Sequence, residues 1–153
     1  MKENVSHAGG LVVRKNTAGS YELLLIRRAS NPVAGKYLLP NGHVAENEES
    51  LTAAKREVKE ETGTTDLRIL ADLGLVGRRG VNDQGQRYLK SIHYYLFLTE
   101  NDGRQDYQFT NKDKKEFTCH WCFLESYPSL IQFGEELSLL PLAKEFLGLP
   151  KEG

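Results

Sequence analysis

Three glutamates, Glu57, Glu60 and Glu61, lie close together in one stretch of the chain. At 100° per residue of a helix, their side chains share a wedge of about 100° beside an apolar stripe. Like charges at this spacing repel one another, and partial burial raises the cost. A divalent cation would remove the conflict, and oxygen ligands without Cys or His favour Mg²⁺ or Mn²⁺ over zinc. A glutamate-rich helix can also be a solvated surface, so the surrounding residues must decide.

The residues around the cluster follow a longer pattern of fixed spacing. Gly42 is followed after five residues by Glu48, and after seven more by the run Arg56-Glu-Val-Lys-Glu-Glu-Thr-Gly-Thr64. This pattern resembles the Nudix hydrolase signature, G-x5-E-x7-R-E-U-x-E-E-x-G-U, in which U is aliphatic. Every fixed letter is present, although Thr64 takes the place of the last aliphatic residue. A chance match at eight positions is on the order of 10⁻⁷.

The resemblance implies a fold and an activity. The fold is α/β, a Nudix-type α/β/α sandwich with a central mixed β-sheet. The activity is hydrolysis of the pyrophosphate bond in a nucleoside diphosphate linked to another moiety, with Mg²⁺ (or Mn²⁺) as cofactor. Such cleavage needs cations on the phosphate oxygens and a water of lowered pKa. The expected partner is a small-molecule nucleotide, and since relatives are often dimers, a homodimer is one expected assembly.

The resemblance also assigns roles within the signature, which we call the box. The expected metal ligands are the three clustered side chains and one backbone carbonyl: Glu57, Glu60, Glu61 and Asn41. Asn41 stands where a glycine is frequent, and asparagine is the substitute that best tolerates unusual backbone angles. Arg56 is expected to orient Glu60 by a charged hydrogen bond, and Glu48 to support the loop or the metal. Gly42 and Gly63 are the box glycines.

The general base and the phosphate-binding residues are less well defined. The general base is either a box glutamate or a carboxylate later in the chain. For the later carboxylate, Glu116 is preferred, and Asp113 and Glu100 are the alternatives. Carboxylates of this kind are at least as often ordinary solvated surface residues. Basic residues near predicted strand ends could bind phosphate or be solvated. They are Arg27, Arg28, Lys36, Arg79 and Lys90, with Arg78 beside them.

The sequence does not determine the substrate. Residues 79–82 lack the proline or tyrosine that marks ADP-ribose or dinucleoside polyphosphate enzymes of the family. A nucleoside triphosphate or dinucleoside polyphosphate is favoured, and a sugar nucleotide or ADP-ribose is the alternative. A non-catalytic nucleotide-sensing module is a further alternative, but all four box glutamates are retained, which favours an enzyme.

The elements that must position these residues follow from periodicity. Apolar residues at helical spacing predict a helix over residues 50–62, capped by Gly63. Runs at 10–14 and 22–27 predict a hairpin, and the second run, apolar throughout, predicts a strand covered on both faces. Strands at 67–78 and 88–98 should pair antiparallel, and residues 99–115 should form a long surface loop that could close over a ligand. A terminal helix is expected over residues 137–147.

Composition sets the remaining limits. The 153 residues carry a net charge of −1 and predict a single domain, 1–153, without a surface basic enough to hold nucleic acid. No apolar run suggests a membrane span, no signal peptide is evident, and two cysteines fit a reducing cytosol, so we expect a cytoplasmic protein. Cys119 and Cys122 lie three apart on a predicted strand, point to opposite faces, and should form neither a disulfide nor a shared metal site.

Overall fold

A mixed β-sheet of seven strands organises the part of the chain that the computed structural model describes, residues 6–29, 36–81, 84–100 and 103–150. The strands are β1 (His7–Lys15), β2 (Tyr21–Arg28), β3 (Asn41–His43), β4 (Arg68–Val81), β5 (Arg87–Leu98), β6 (Tyr107–Thr110) and β7 (Glu116–Phe123). The α-helices are α1 (Ser50–Thr62), α2 (Tyr127–Leu130) and α3 (Leu139–Phe146), and 3₁₀ turns cover Leu124–Ser126 and Gly134–Ser138.

The sheet order is β4-β5-β1-β2-β7-β6, with β3 paired to the start of β1. Strands β1 and β5 run parallel, and the other pairs are antiparallel, so the sheet is mixed as expected. The predicted hairpin of β1 with β2 and the predicted pairing of β4 with β5 are confirmed.

Two separate cores cover the two faces of the sheet. In β2, Leu23 and Leu25 pack on the side of α3, whereas Leu24 and Ile26 pack on the side of α1. The uninterrupted apolar run therefore belongs to a strand buried on both sides, and the predicted layered α/β architecture is confirmed. We refer to these sides as the α1 face and the α3 face.

The helix that carries the box has the predicted bounds, Ser50–Thr62. Ala53, Ala54 and Val58 are buried on the α1 face. Gly63 ends the helix in the left-handed region at φ 76°, and its N–H donates to the Lys59 carbonyl. A glycine is required there because other residues pay a steric cost at positive φ.

The two cysteines lie on opposite faces of β7, as predicted. Cys119 is buried on the α1 face, and Cys122 packs against the α3-face core. Both thiols are free, and burial raises the pKa of Cys119 to about 11. Neither a disulfide nor a shared ligand set is formed.

One predicted element was wrong, and the start of another is shifted by two residues. Residues 99–115 are not one long loop, because β6 forms within them and pairs with β7. Tyr107 and Phe109 both pack against the α1-face core. Their spacing of two residues is typical of a strand, but the polar residues around them made this pattern weak in the sequence. The terminal helix begins at Leu139 rather than at 137, since a 3₁₀ turn precedes it with Glu136 buried. Among the described helices, none has the length and apolar content needed to cross a bilayer.

Candidate active site

The candidate site is a cleft of about 550 Å³ where β1 and β2 diverge. These strands pair with each other only at the C-terminal end of β1, at Val13–Lys15. At the N-terminal end of β1, His7–Gly9 pairs with β3. The segment 38–43 lies between the diverging strands, with Leu38 paired to Ile26 of β2, and residues of both faces of the sheet line the cleft. Its charged and polar lining consists of His7, Arg28, Asn41, His43, Arg56, Glu57, Glu60, Glu61, Arg78, Lys90, Asn111, Lys112, Asp113 and Lys115.

Helix α1 places the Glu57 carboxylate directly against the backbone of β3. A Cβ on Gly42 would lie only 2.6 Å from Glu57 Oε1 and would overlap the rest of the carboxyl group. Gly42 is therefore needed for this close approach rather than for an unusual backbone angle. The pKa of Glu57 is raised by burial, against the effect of Arg56, whose Nη1 donates to Oε1 at 2.8 Å.

Glu61 lies one helical turn further along and faces the same strand. Its Oε1 accepts a hydrogen bond from the Asn41 backbone N–H at 2.8 Å. Burial and the nearby Glu57 raise the pKa of Glu61 well above its usual value. Asn41 does not have a positive φ. In the described ranges, the only non-glycine residues that have a positive φ are Asn47 and Lys114. Asparagine thus replaces the frequent glycine without backbone strain.

Arg56 is the centre of a hydrogen-bonded frame behind these carboxylates. Its Nε and Nη2 donate to the two oxygens of Glu48, each at 2.9 Å, and Nη2 also donates to the His43 carbonyl at 2.8 Å. Its Nη1 reaches Glu60 at 3.2 Å. The hydrogen bonds from Arg56 and from the Ala45 N–H lower the pKa of Glu48 to about 2. Glu48 is therefore ionised and ties the box loop to the helix.

The three clustered glutamates do not converge on a single point. Glu60 is reached by Lys112 at 3.0 Å, whereas Glu57 and Glu61 face β3. Within the described ranges, no three carboxylate, imidazole or thiol side chains converge closely enough to hold a metal ion. The donor chemistry nevertheless fits a hard divalent cation, since all donors are oxygens and burial raises the pKa of Glu57 and of Glu61, an effect that a bound cation would oppose.

The predicted phosphate-binding residues divide into two groups. Arg28 and Lys90 line the cleft, and Arg78 lines it beside Lys90. Arg27 lies on the other face of β2 from Arg28 and stacks over Tyr37, with its guanidinium carbon 5.3 Å from the ring centroid. Two further candidates are outside the cleft lining, Lys36 and Arg79. The Arg79 N–H donates to Glu135, away from the box.

The candidate bases divide in a similar way. Glu116 is exposed, and because Phe117 faces α1, the alternation of β7 turns Glu116 to the opposite face. Glu100 lies outside the cleft, beside Asp66. Asp113 lines the cleft. Glu116 and Glu100 therefore lie away from the box glutamates, whereas Asp113 lines the same cleft as they do.

Sequence reasoning gave no role to the lysines of the loop between β6 and β7. Lys112 and Lys115 line the cleft, and Lys112 pairs with Glu60. The basic run at 112–115 was the available signal, but it was read as part of a long surface loop. His7, which sequence reasoning gave no role, also lines the cleft, and its ring lies 4.2 Å from that of His43.

A scan against protein-family models matches residues 5–140 to the NUDIX domain. The chain belongs to the Nudix family. The carboxylates and the frame around Arg56 described above are thus those of a Nudix box within a Nudix domain.

The similar proteins include two hydrolases that are named for different nucleotides. The chain is 29% identical over 143 residues to the asymmetrical bis(5'-nucleosyl)-tetraphosphatase of Caenorhabditis elegans, covering 94% of this chain and 97% of that protein. The crystal structure of C. elegans Ap4A hydrolase superposes with a TM-score of 0.67 at 28% identity, over 95% of this chain and 99% of the other. The 8-oxo-dGDP phosphatase NUDT18 of Danio rerio is 28% identical over 121 residues, 79% of this chain. This chain spans 33% of the length of the zebrafish protein. It spans 54% and 17% of the lengths of two other curated relatives.

Proposed function

We propose that this Nudix domain hydrolyses the pyrophosphate bond of a nucleoside diphosphate derivative with the help of Mg²⁺ or Mn²⁺. The observation that carries the proposal is the pair Glu57 and Glu61. Both carboxylates face the Asn41–Gly42 backbone in a cleft that also holds several cationic side chains. Anionic and cationic groups in one cleft suit a substrate whose phosphates must meet both a metal and basic residues.

The residues that would hold the cation are Glu57, Glu60, Glu61 and the Asn41 carbonyl. When bound, the cation would offset the charge of the diphosphate and lower the pKa of an attacking water. Arg56 holds the carboxylates in place, since one guanidinium joins Glu48, Glu57 and Glu60. A proton from the attacking water would go to a carboxylate of the cleft, either a box glutamate or Asp113, rather than to Glu116 on the other face.

We further propose a nucleoside triphosphate or a dinucleoside polyphosphate as the substrate. The cationic side chains of the cleft come from several elements, β2, β4, β5 and the loop before β7. Such a distribution suits a chain of phosphates better than a single diphosphate between two sugars. The similarity to the C. elegans tetraphosphatase over nearly its whole length supports the same class.

The test is a product analysis with a panel of substrates. Purified protein would be incubated with Mg²⁺ or Mn²⁺ and ATP, diadenosine tetraphosphate, ADP-ribose or a sugar nucleotide, and the products separated by ion-exchange chromatography. We expect cleavage of a phosphoanhydride bond, abolished by EDTA. Turnover of ADP-ribose or the sugar nucleotide alone would refute the substrate class and favour the alternative.

A variant comparison separates catalysis from binding. Glu61→Gln keeps an oxygen that can accept the Asn41 N–H but removes the charge, so we expect a fall in kcat of at least about 100-fold. Glu145→Gln on α3, outside the cleft lining, is the control and should be as active as the wild type. Nucleotide binding without turnover by the wild-type protein would indicate a sensing module instead.

A further inference from the structure

An ion pair is buried on the α3 face behind the cleft. Glu136 has no exposed surface, and Arg78 is 5% exposed. Arg78 Nη1 donates to Glu136 Oε1 at 3.3 Å, and the Tyr94 hydroxyl donates to the other carboxylate oxygen. The Tyr127 hydroxyl donates to the Glu136 backbone carbonyl at 2.7 Å, which fixes the 3₁₀ turn in place. Burying a carboxylate so completely costs free energy that an apolar residue would avoid, which suggests a role beyond packing.

Arg78 is held on a second side by an aromatic ring. Its guanidinium carbon lies 4.1 Å from the centroid of Phe133. Stacking and the bond to Glu136 together fix the plane of the guanidinium. A guanidinium has five N–H donors in a rigid fork, which matches the geometry of a phosphate.

Arg78 lines the cleft together with two other basic residues. Arg78 and Lys90 are directly opposite in the β4–β5 pairing, and His7 is opposite Ile92, two residues after Lys90. We call His7, Arg78 and Lys90 the basic cluster; all three line the cleft. Burial and Arg78 lower the pKa of Lys90, and burial and Lys90 lower the pKa of His7. A bound anion would offset the positive charge that Arg78 and Lys90 bring close together.

The basic cluster lies on the opposite face of the sheet from helix α1, although Glu61 is close enough to act electrostatically on Lys90. Val76 and Ile92, next but one to Arg78 and Lys90 on their strands, belong to the α3-face core. Helix α1, with Glu57 and Glu61, lies on the other face. One cleft is lined by both groups, so one elongated ligand can contact both.

We propose that Arg78 binds a substrate phosphate outside the hydrolysed diphosphate, and that Glu136 is a positioning residue that acts through Arg78. This inference rests on the proposed function. It makes the basic cluster the determinant that separates substrates with three or more phosphates from those with a diphosphate between two sugars.

The kinetic test compares two ligand classes in four variants. ATP and diadenosine tetraphosphate carry the extra phosphates, whereas ADP-ribose, measured as a substrate or as a competitive inhibitor, does not. Arg78→Lys keeps the charge but loses the fork, and Lys90→Gln loses the charge. We expect KM for the two polyphosphates to rise by about 10-fold or more, with kcat within about twofold and the ADP-ribose constant unchanged.

Glu136→Gln and Lys55→Gln complete the set. Glu136→Gln keeps an oxygen acceptor for Tyr94, and should raise the polyphosphate KM by a smaller factor because Arg78 loses only its anchor. Lys55 is exposed on α1 outside the cleft, so Lys55→Gln should match the wild type. An equal loss for both ligand classes would mean that Arg78 and Glu136 are merely structural and would overturn the inference, as would unchanged constants.

A binding measurement keeps this inference separate from the proposed function. Tripolyphosphate titrated calorimetrically in EDTA should bind the wild type and Lys55→Gln, and bind Arg78→Lys and Lys90→Gln about 10-fold more weakly. If the wild type hydrolyses nothing but shows this pattern, the proposed function fails and the phosphate site stands. If it hydrolyses nucleotides and the variants bind tripolyphosphate as the wild type does, the phosphate site fails alone.

Discussion

Replacing Gly42 by alanine should slow catalysis strongly while leaving the protein folded. The Gly42 backbone has no positive φ, so alanine can adopt its angles. The new Cβ would lie 2.6 Å from Glu57 Oε1, whereas an ordinary contact is about 3.4 Å, and other carboxyl atoms would be nearer still. The Glu57 carboxylate would therefore have to move by about 1 Å.

Such a shift should affect catalysis far more than stability. The displaced group is the end of a flexible side chain, so the fold can accommodate it at a cost of about 1 kcal/mol. A misplacement of about 1 Å in a catalytic group can cost on the order of 100-fold in rate. We expect kcat to fall by about that factor for the best substrate of the panel, with the urea midpoint nearly unchanged.

The matched control is Gly77→Ala in β4. A Cβ at Gly77 would make only an ordinary contact of 3.4 Å with Leu89, and its backbone angles are also accessible to alanine. This variant should retain wild-type kcat. If Gly42→Ala were fully active, or as inactive as an unfolded protein, the argument that Gly42 exists to admit the Glu57 carboxylate would be refuted.

Three further predictions concern other parts of the site. Arg56→Lys cannot reproduce the two bonds to Glu48, so kcat/KM should fall by about 10–100-fold with an unchanged circular dichroism spectrum; wild-type kinetics would contradict the proposed frame. Gly9→Ala should lower the free energy of unfolding by about 1–3 kcal/mol in urea titrations, since its Cβ would overlap the Pro40 carbonyl, and an unchanged midpoint would refute this. His7 has a pKa lowered to about 4, chiefly by burial, so its neutral form favours the native state. Stability should therefore be complete above about pH 6.5 and fall toward pH 4 by up to about 3 kcal/mol, and His7→Gln should reduce this slope.

The strongest parts of the fold could be predicted from local patterns. Helix α1 combines an apolar stripe with a glycine at its C-terminus, and β2 has an uninterrupted apolar run, so neither depends on distant residues for its assignment. Strand β6 was missed because only Tyr107 and Phe109 carry its alternation, and its formation depends on pairing with β7. Its identity is set by tertiary contacts rather than by propensity.

The site was predictable to a similar extent. The spacing of the box predicted that Glu57 and Glu61 share one helix face, because helical geometry alone fixes that relation. The residues that complete the cleft come from β1, β4, β5 and the loop before β7, which are far apart in the chain. Whether Arg27 or Arg28 reaches the cleft depends on strand register, since adjacent residues face opposite sides. The pairing of Arg78 with a buried Glu136 gave no signal in the sequence.

Direct titration of Mn²⁺ into the nucleotide-free protein, followed by electron paramagnetic resonance, tests the central claim that these carboxylates hold a divalent cation. We expect saturable binding to the wild type and to Glu145→Gln, with affinity reduced at least about 10-fold in Glu57→Gln and in Glu61→Gln. Equal Mn²⁺ affinity in all four proteins would contradict the claim.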